Sequence, residues 1–247
     1  MPDPEPLPDP SPVAVLEGAA APDTPLDPAA LVAKMREEWD ERARENARHY
    51  VATARSDWDD KEYYDSGRLN VFQEILTDLG NVCQGKSAKE MTVLEIGCGS
   101  GRITRALSEV FGQVYGVDIS GEMIRQATEA LRERPNAHVF QNNGSDLEIL
   151  GDIRVDFAFS YIVFQHIPSR EVIYSYMREV HRLLRPGGLF KFQVQGGDGM
   201  DKAPEDTWLG VPFSDAEAVA MAEACGFEPR YRVGAGTQYF WLWFFRR

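Results

Sequence analysis

Cysteine is scarce in this 247-residue chain: Cys83, Cys98 and Cys225 lie far apart, and no two of them form a C-x-x-C pair. That spacing argues against a zinc site or a disulfide framework and fits a reducing compartment. No metal is expected. Long hydrophobic runs are missing too. No stretch approaches the roughly 18 apolar residues that a membrane span needs, and the run Tyr239 to Phe245 is short enough to read as a buried strand. The N-terminus has no cationic start followed by an apolar run, so no signal peptide is visible. Positive charge is the third shortage. Lys and Arg number 26 against 39 Asp and Glu, for a formal net charge of -13, and no basic cluster stands out. Such a surface repels phosphate backbones and anionic lipid, so neither nucleic acid nor a membrane is an expected partner. The expectation is a cytoplasmic protein. Its oligomeric state is not legible.

What remains is an ordinary globular composition, 43% hydrophobic and 26% charged, on a chain long enough for one well-buried domain with a small appendage. Residues 1–27 alternate proline with acidic and small residues. Such a segment cannot bury enough surface to offset its ordering entropy, and a disordered tail is expected. A helix is predicted from Pro28, with Asp27 as N-cap and Leu31, Met35, Trp39, Arg42 and Asn46 at helical spacing. A second is predicted from about Arg68 to Leu79, stopping at Gly80. The connector between them, Ser56 to Gly67, is polar yet rich in aromatics. Residues 28–90 are thus expected to form an N-terminal helical cap, and residues 91–247 the main domain.

From Thr92 the pattern changes to short apolar runs alternating with helical stretches. Strands are predicted at Val93–Ile96, Val114–Val117, His138–Gln141, Asp156–Val163 and Leu189–Val194. Helices between them run from Ile103 to Val110, from Ser120 to about Glu133 and from Ser169 to Leu184. Ser214 and Glu217 form a capping box opening a further helix that ends before Gly226. Two last strands, Pro229–Val233 and Thr237–Phe245, are joined by Gly234-Ala-Gly236 and read as a hairpin. The alternation implies an α/β, Rossmann-like, doubly wound seven-stranded sheet, mostly parallel with an antiparallel last strand.

The strongest signal is Val93-Leu-Glu-Ile-Gly-Cys-Gly-Ser-Gly-Arg-Ile-Thr104. A strand feeds a glycine-rich turn that feeds a helix. Gly97, Gly99 and Gly101 allow backbone approach that a Cβ would block, and the helix start offers free N–H groups to a ligand. Asp118 ends the next strand about 20 residues on, where a carboxylate is suited to ribose hydroxyls. Ser120 fits the N-cap of the following helix better than Asp118 does.

These residues resemble the first two motifs of the class I S-adenosylmethionine-dependent methyltransferases, in particular the small-molecule, type 11-like branch. The resemblance spans about Val93 to Phe245. Glu95-x-Gly97-x-Gly99-x-Gly101 matches the family's glycine motif, whereas dinucleotide dehydrogenases space theirs G-x-G-x-x-G. It implies S-adenosyl-L-methionine as cofactor, held along Glu95 to Gly101 with Cys98 in the turn and Glu95 orienting the methionine end. It further implies Asp118 on the ribose, with Ile119 and Met123 packing the adenine. Asp156-Phe-Ala-Phe-Ser-Tyr161 is similar to the fourth-strand motif, which brings in Ser160, and Leu183-Leu-Arg-Pro-Gly-Gly-Leu189 to the turn before strand five. The segment Gln141-Asn-Asn-Gly-Ser-Asp146 departs from the family's Gly-Asp-Ala. There Asn143, beside Gly144, is the favoured adenine contact and Asp146 its competitor.

A sulfonium methyl is already electrophilic, so such an enzyme mainly aligns the nucleophile, and a base is needed only for an acceptor that carries a proton. His166 is the candidate, as base or as pocket wall; His49, His138 and His181 fall within predicted helices or a strand. Trp208, in the insert Gly196 to Phe213, is a candidate wall residue. Trp241, Trp243, Phe244 and Phe245 read as core. By the same resemblance the connector carrying Trp58, Tyr63, Tyr64 and Arg68 is expected to close over the cofactor, with Arg68 or a tyrosine on its carboxylate. The reading is methyl transfer to a small molecule, with O or N favoured over C or S as acceptor. A non-catalytic cofactor-binding module and a protein methyltransferase are the alternatives. A DNA amino-methyltransferase would need an Asn/Asp-Pro-Pro-aromatic motif where Ser160-Tyr-Ile-Val stands.

Overall fold

The computed structural model describes residues 27–197 and 207–247. Of the tail expected over residues 1–27, all but Asp27 lies outside them, as does the middle of the insert after strand five. Among the described residues no helix is long and apolar enough to cross a membrane.

Helix α1 (Pro28–Val51) starts as expected, with the Asp27 carboxylate accepting from the amides of Ala29 and Ala30. Such a cap is worth about 1 kcal/mol. It is not continuous. Asn46 leaves helical geometry, and its side chain accepts from the amide of His49, so a fresh turn is capped inside the helix. Helix α2 (Asp60–Glu74) differs from the sequence expectation. The Asp59 carboxylate caps it by accepting from the Glu62 amide, so most of the supposed connector is already helical. Charged residues at both helix ends hide the boundary. Gly80 does not stop a helix but lies inside the short α3 (Leu79–Cys83).

The sheet follows in chain order. Strand β1 (Thr92–Ile96) leads to α4 (Arg102–Val110), and β2 (Gln113–Asp118) to α5 (Gly121–Ala130). Then come β3 (Ala137–Gln141), β4 (Val155–Phe159), α6 (Arg170–Leu183) and β5 (Leu184–Val194). Helix α7 (Asp215–Ala224) precedes β6 (Phe227–Val233) and β7 (Phe240–Arg246). The seven strands lie in the order β3-β2-β1-β4-β5-β7-β6. All neighbours are parallel except β7, which is antiparallel to both β5 and β6. Strand β4 ends at Phe159 rather than Val163. Beyond it Ile162 takes a left-handed φ of 55°, and the chain folds into a turn of 3-10 helix over Phe164–His166.

Strand alternation divides the core. Ala158, Phe190, Phe192, Leu242 and Phe244 face one layer, which includes α6 and α7 and takes in Met35 of α1. Phe157, Phe159, Leu189 and Phe245 face the other, with Val71 and Ile75 after α2's start, Val82 of α3 and Leu107 of α4. Trp241 and Trp243 are half-buried rather than core. Both face the Lys191 ammonium, 5.2 and 4.5 Å from their ring centroids.

Candidate active site

The carboxyl ends of β1, β2 and β4 open into a cavity of about 390 Å³, the position where ligands bind on open α/β sheets. Gly97, Gly99, Asp118, Ile119, Met123, Gly144 and His166 line it, as the sequence predicts, and so do Trp58 and Trp208.

The turn after β1 is tightly enclosed. Gly97, Gly99 and Gly101 all have positive φ. A Cβ on Gly99 would lie 2.8 Å from the Val51 side chain, so glycine there lets the end of α1 close onto the turn. Asp118 accepts from the Gly99 amide at 2.8 Å and from the Ser120 amide at 2.9 Å. Burial, followed by the field of Asp40, pushes its carboxyl up to about 6 against those two hydrogen bonds. Ser120 caps α5 by accepting from Met123 N, and its hydroxyl donates to Asp40 of α1 at 2.5 Å. Asp40 thereby ties the N-terminal helix to the loop that carries Asp118.

Several predicted residues lie outside the cavity lining. Glu95 is buried and accepts from the Thr104 hydroxyl at 2.6 Å, and desolvation pushes its carboxyl up to about 7. Cys98 packs beneath the turn against Gly116, and burial pushes its thiol up. Gly101 serves as N-cap of α4. Ser160 is turned inward and donates to the Ile96 carbonyl at 2.9 Å. Tyr64 covers the Arg105 guanidinium at 4.3 Å. Arg68, expected on the cofactor's carboxylate, is instead bound by Glu109 and Asp65 on the surface, outside the cavity lining. Tyr63 is buried and its hydroxyl bonds to Ser100 at 2.6 Å.

Asn143 likewise lies outside the cavity lining. Its side chain accepts from the amides of Ser145 and Asp146 and donates to Asp146, which makes it the capping residue of an exposed turn. Asn142 lines the cavity instead. The β2–β3 register pairs Asp118 with Gln141, and the next amide, of Asn142, donates to the Asp118 carbonyl at 3.0 Å. The Asn142 amide nitrogen donates to the Tyr176 hydroxyl and to the Asp146 carbonyl. Its Oδ1 is buried with no partner. A buried acceptor left unmade costs about 1–3 kcal/mol, which marks it as a place for a ligand donor.

At the other side of the turn the walls are aromatic. Trp39, Tyr50, Trp58, Tyr161, Trp208 and Tyr239 all contribute. His166 Nδ1 donates to the Trp208 carbonyl at 2.5 Å, and its ring lies 5.0 Å from Trp208 and 5.5 Å from Trp39. A carbonyl only accepts, so Nδ1 carries a proton in this arrangement. The neighbouring Gln165 has a buried, unpartnered Oε1. Ile162 is held in its left-handed conformation by Gln193, whose Oε1 accepts from the Ile162 amide. Trp39 falls on the predicted helical stripe and was legible as a face. Arg102, Asn142 and the segment Tyr50–Ala54 were not singled out, because a helix break at Asn46 and a one-residue register carry no compositional mark.

A family model described as a methyltransferase domain matches residues 94–192. Among curated proteins, the chain is 32% identical over 116 residues to phosphoethanolamine N-methyltransferase 2 of Caenorhabditis elegans, covering 45% of this chain and 26% of that protein. It is 33% identical over 142 residues to trans-aconitate 2-methyltransferase of Azoarcus sp., covering 56% of this chain and 50% of that protein. The chain therefore spans half or less of the length of these relatives. Among solved structures it resembles Burkholderia thailandensis 1,6-didemethyltoxoflavin-N1-methyltransferase with bound 1,6-didemethyltoxoflavin and S-adenosylhomocysteine. That likeness has a TM-score of 0.64 at 20% identity and covers 92% of this chain and 94% of the other, a likeness of fold.

Proposed function

Because the chain belongs to the class I S-adenosylmethionine-dependent methyltransferase family, we propose that it transfers a methyl group from S-adenosylmethionine to a small-molecule acceptor. The observation that carries this reading is the meeting, on one cavity, of the glycine turn, the Asp118 carboxylate and the unpartnered Oδ1 of Asn142. Asp118 is suited to accept from ribose hydroxyls while held by two backbone amides. Asn142 is suited to accept from the adenine amino group, with Ile119 and Met123 against the ring. When bound, the cofactor supplies an electrophilic methyl group on a sulfonium.

The chain's own work is to align the acceptor and exclude water. The aromatic walls favour an acceptor with a flat, apolar body, and Gln165 Oε1 favours one that presents an N–H or O–H. The net charge of -13 favours a neutral or cationic molecule over an anion. An O or N nucleophile of that kind has a proton to lose, and His166 is the candidate to take it. For such an acceptor, His166→Ala lowers the turnover rate by roughly 10²–10⁴ and leaves S-adenosylhomocysteine affinity unchanged. A fall of only a few fold assigns His166 to the wall. The test of the whole reading is a methyl-transfer screen of a metabolite library, with S-adenosylhomocysteine formation as readout. Calorimetry on the same protein checks cofactor binding, and no binding of either adenosyl ligand overturns the reading.

A further inference from the structure

Apolar side chains left in water are informative when they gather at one place rather than scatter. Among the described residues, three of the eight large hydrophobic side chains that stay exposed also line the cavity: Leu69 of α2, Trp208 and Tyr239. They form its rim, where the cavity meets solvent. Trp208 stands beside His166, at the end assigned above to the acceptor.

The seat of α2 fixes which way its faces point. Tyr63, Gly67 and Val71 are buried at a spacing of one helical turn. Gly67 packs so closely on α4 that a Cβ there would lie 2.4 Å from the Arg102 carbonyl oxygen, so α2 roofs that arginine. The Arg102 guanidinium donates to Ser66 and Asn70, and Asn70 donates to the Tyr161 hydroxyl at 3.3 Å. With that side held inward, Leu69 is 53% exposed at the rim, and Phe72, one turn further along, is 57% exposed and outside the cavity lining. Past the end of α2, Leu76 is half-buried and Leu79 is exposed again. The strip is narrow. Gln73 borders it on one side, and on the other Arg68 is held by Asp65 and Glu109 in an ion-paired surface.

We propose that the methyl acceptor is an amphiphile, with a flat head inside the cavity and an apolar tail that leaves over Leu69 and lies along Phe72. The proposal rests on the methyl-transfer reading above and adds the tail to it. Continuity favours a tail over other occupants, because Leu69 belongs both to the cavity and to the strip. Width favours it as well. A stable protein interface buries about 800 Å² on each partner, far more than a strip one side chain across. The net charge of -13 disfavours an anionic lipid surface and is indifferent to an uncharged chain.

The test is calorimetry on the full chain saturated with S-adenosylhomocysteine, with para-alkylphenols carrying one, four, six and eight carbons as probes. Affinity is expected to rise roughly two- to fourfold per methylene as the chain lengthens from four to eight carbons. Phe72→Ser is expected to weaken the octyl compound at least fivefold, and para-cresol and S-adenosylhomocysteine less than twofold. Equal affinity at every chain length, a length dependence that survives Phe72→Ser, or no saturable phenol binding overturns the inference. S-adenosylhomocysteine bound normally in those titrations leaves the methyl-transfer reading standing, whereas its failure to bind wild type overturns that reading. Light scattering and vesicle sedimentation on wild type and variant check the other occupants. A dimer that Phe72→Ser breaks makes the strip a contact between copies. Neutral phosphatidylcholine vesicles that carry down wild type but not Phe72→Ser make it a lipid contact. Either result overturns the tail.

Discussion

Asp118 accepts from two backbone amides while burial holds its carboxyl up to about 6. Only the ionised form accepts fully from ribose hydroxyls, so S-adenosylhomocysteine affinity is expected to fall as pH drops through about 6, approaching tenfold per unit below it. Asp118→Asn is expected to bind roughly 10- to 100-fold more weakly at pH 8, the loss of charge-assisted hydrogen bonds worth about 1.5–3 kcal/mol, and to show a flat profile. Calorimetry between pH 5 and 8 checks both; a slope that survives in the variant assigns the proton elsewhere. Glu95 sends the opposite kind of signal, through stability. Its folded carboxyl is raised to about 7 by desolvation, so the folded chain keeps a proton that the unfolded chain releases above its ordinary value of 4.5. Stability therefore declines as pH rises from about 4.5 to 7, by a few kcal/mol at most. Glu95→Gln retains an acceptor for Thr104 and removes that loss. The variant should melt higher than wild type at pH 8 and no higher at pH 4.5, and an identical pH profile for the two would remove Glu95 as the source.

Among the elements, α1 is the one on which closure depends. Its last turn and the residues after it, Tyr50–Ala54, line the cavity together with Trp58, while α2 begins only at Asp60. Bound S-adenosylhomocysteine should slow amide exchange over residues 50–58 and change residues 60–74 little, because helical hydrogen bonds already protect α2. Equal exchange over 50–58 in free and bound protein would sink the idea that this segment closes on the ligand. The sheet itself was legible in the sequence: apolar runs of period 2, caps at Ser120, Ser169 and Ser214, and glycines at the turn after β1 put every strand in its place to within a few residues. The cavity lining was legible at Gly97, Gly99, Asp118, Ile119 and Met123 for the same reason, since their positions follow from strand ends and the turns after them. Asn142 and Arg102 were not. Which of two adjacent asparagines faces inward is decided by a single step of register against β2. A buried arginine looks like a surface one until the helix that roofs it is placed. The start of α2 was hidden because Asp59 and Asp60 read equally well as loop.

For the molecule as a whole, the helices before β1 are not a detachable cap. Met35 joins the core layer of β5 and α6, and Val71, Ile75 and Val82 join the opposite layer. Each such side chain contributes about 1.5–3 kcal/mol on burial, against a total domain stability of about 5–15 kcal/mol. A chain beginning at residue 91 is therefore expected to lose cooperative melting and S-adenosylhomocysteine binding together. A sharp thermal transition in that fragment, followed by calorimetry or circular dichroism, would restore the two-part division.

The distribution of indoles gives this protein an optical reporter of its own. Trp39, Trp58 and Trp208 lie on the cavity wall, whereas Trp241 and Trp243 stand against Lys191 on the sheet. With five tryptophans in the chain, emission has two separable sources. The sheet pair sits beside the buried Lys191 ammonium and outside the cavity lining, so it supplies the steadier background. The wall trio changes its surroundings whenever the cavity fills. Unlabelled protein can therefore be titrated in a fluorimeter with any colourless acceptor, and replacing the wall indoles one at a time by phenylalanine tells at which end of the cavity that acceptor has settled.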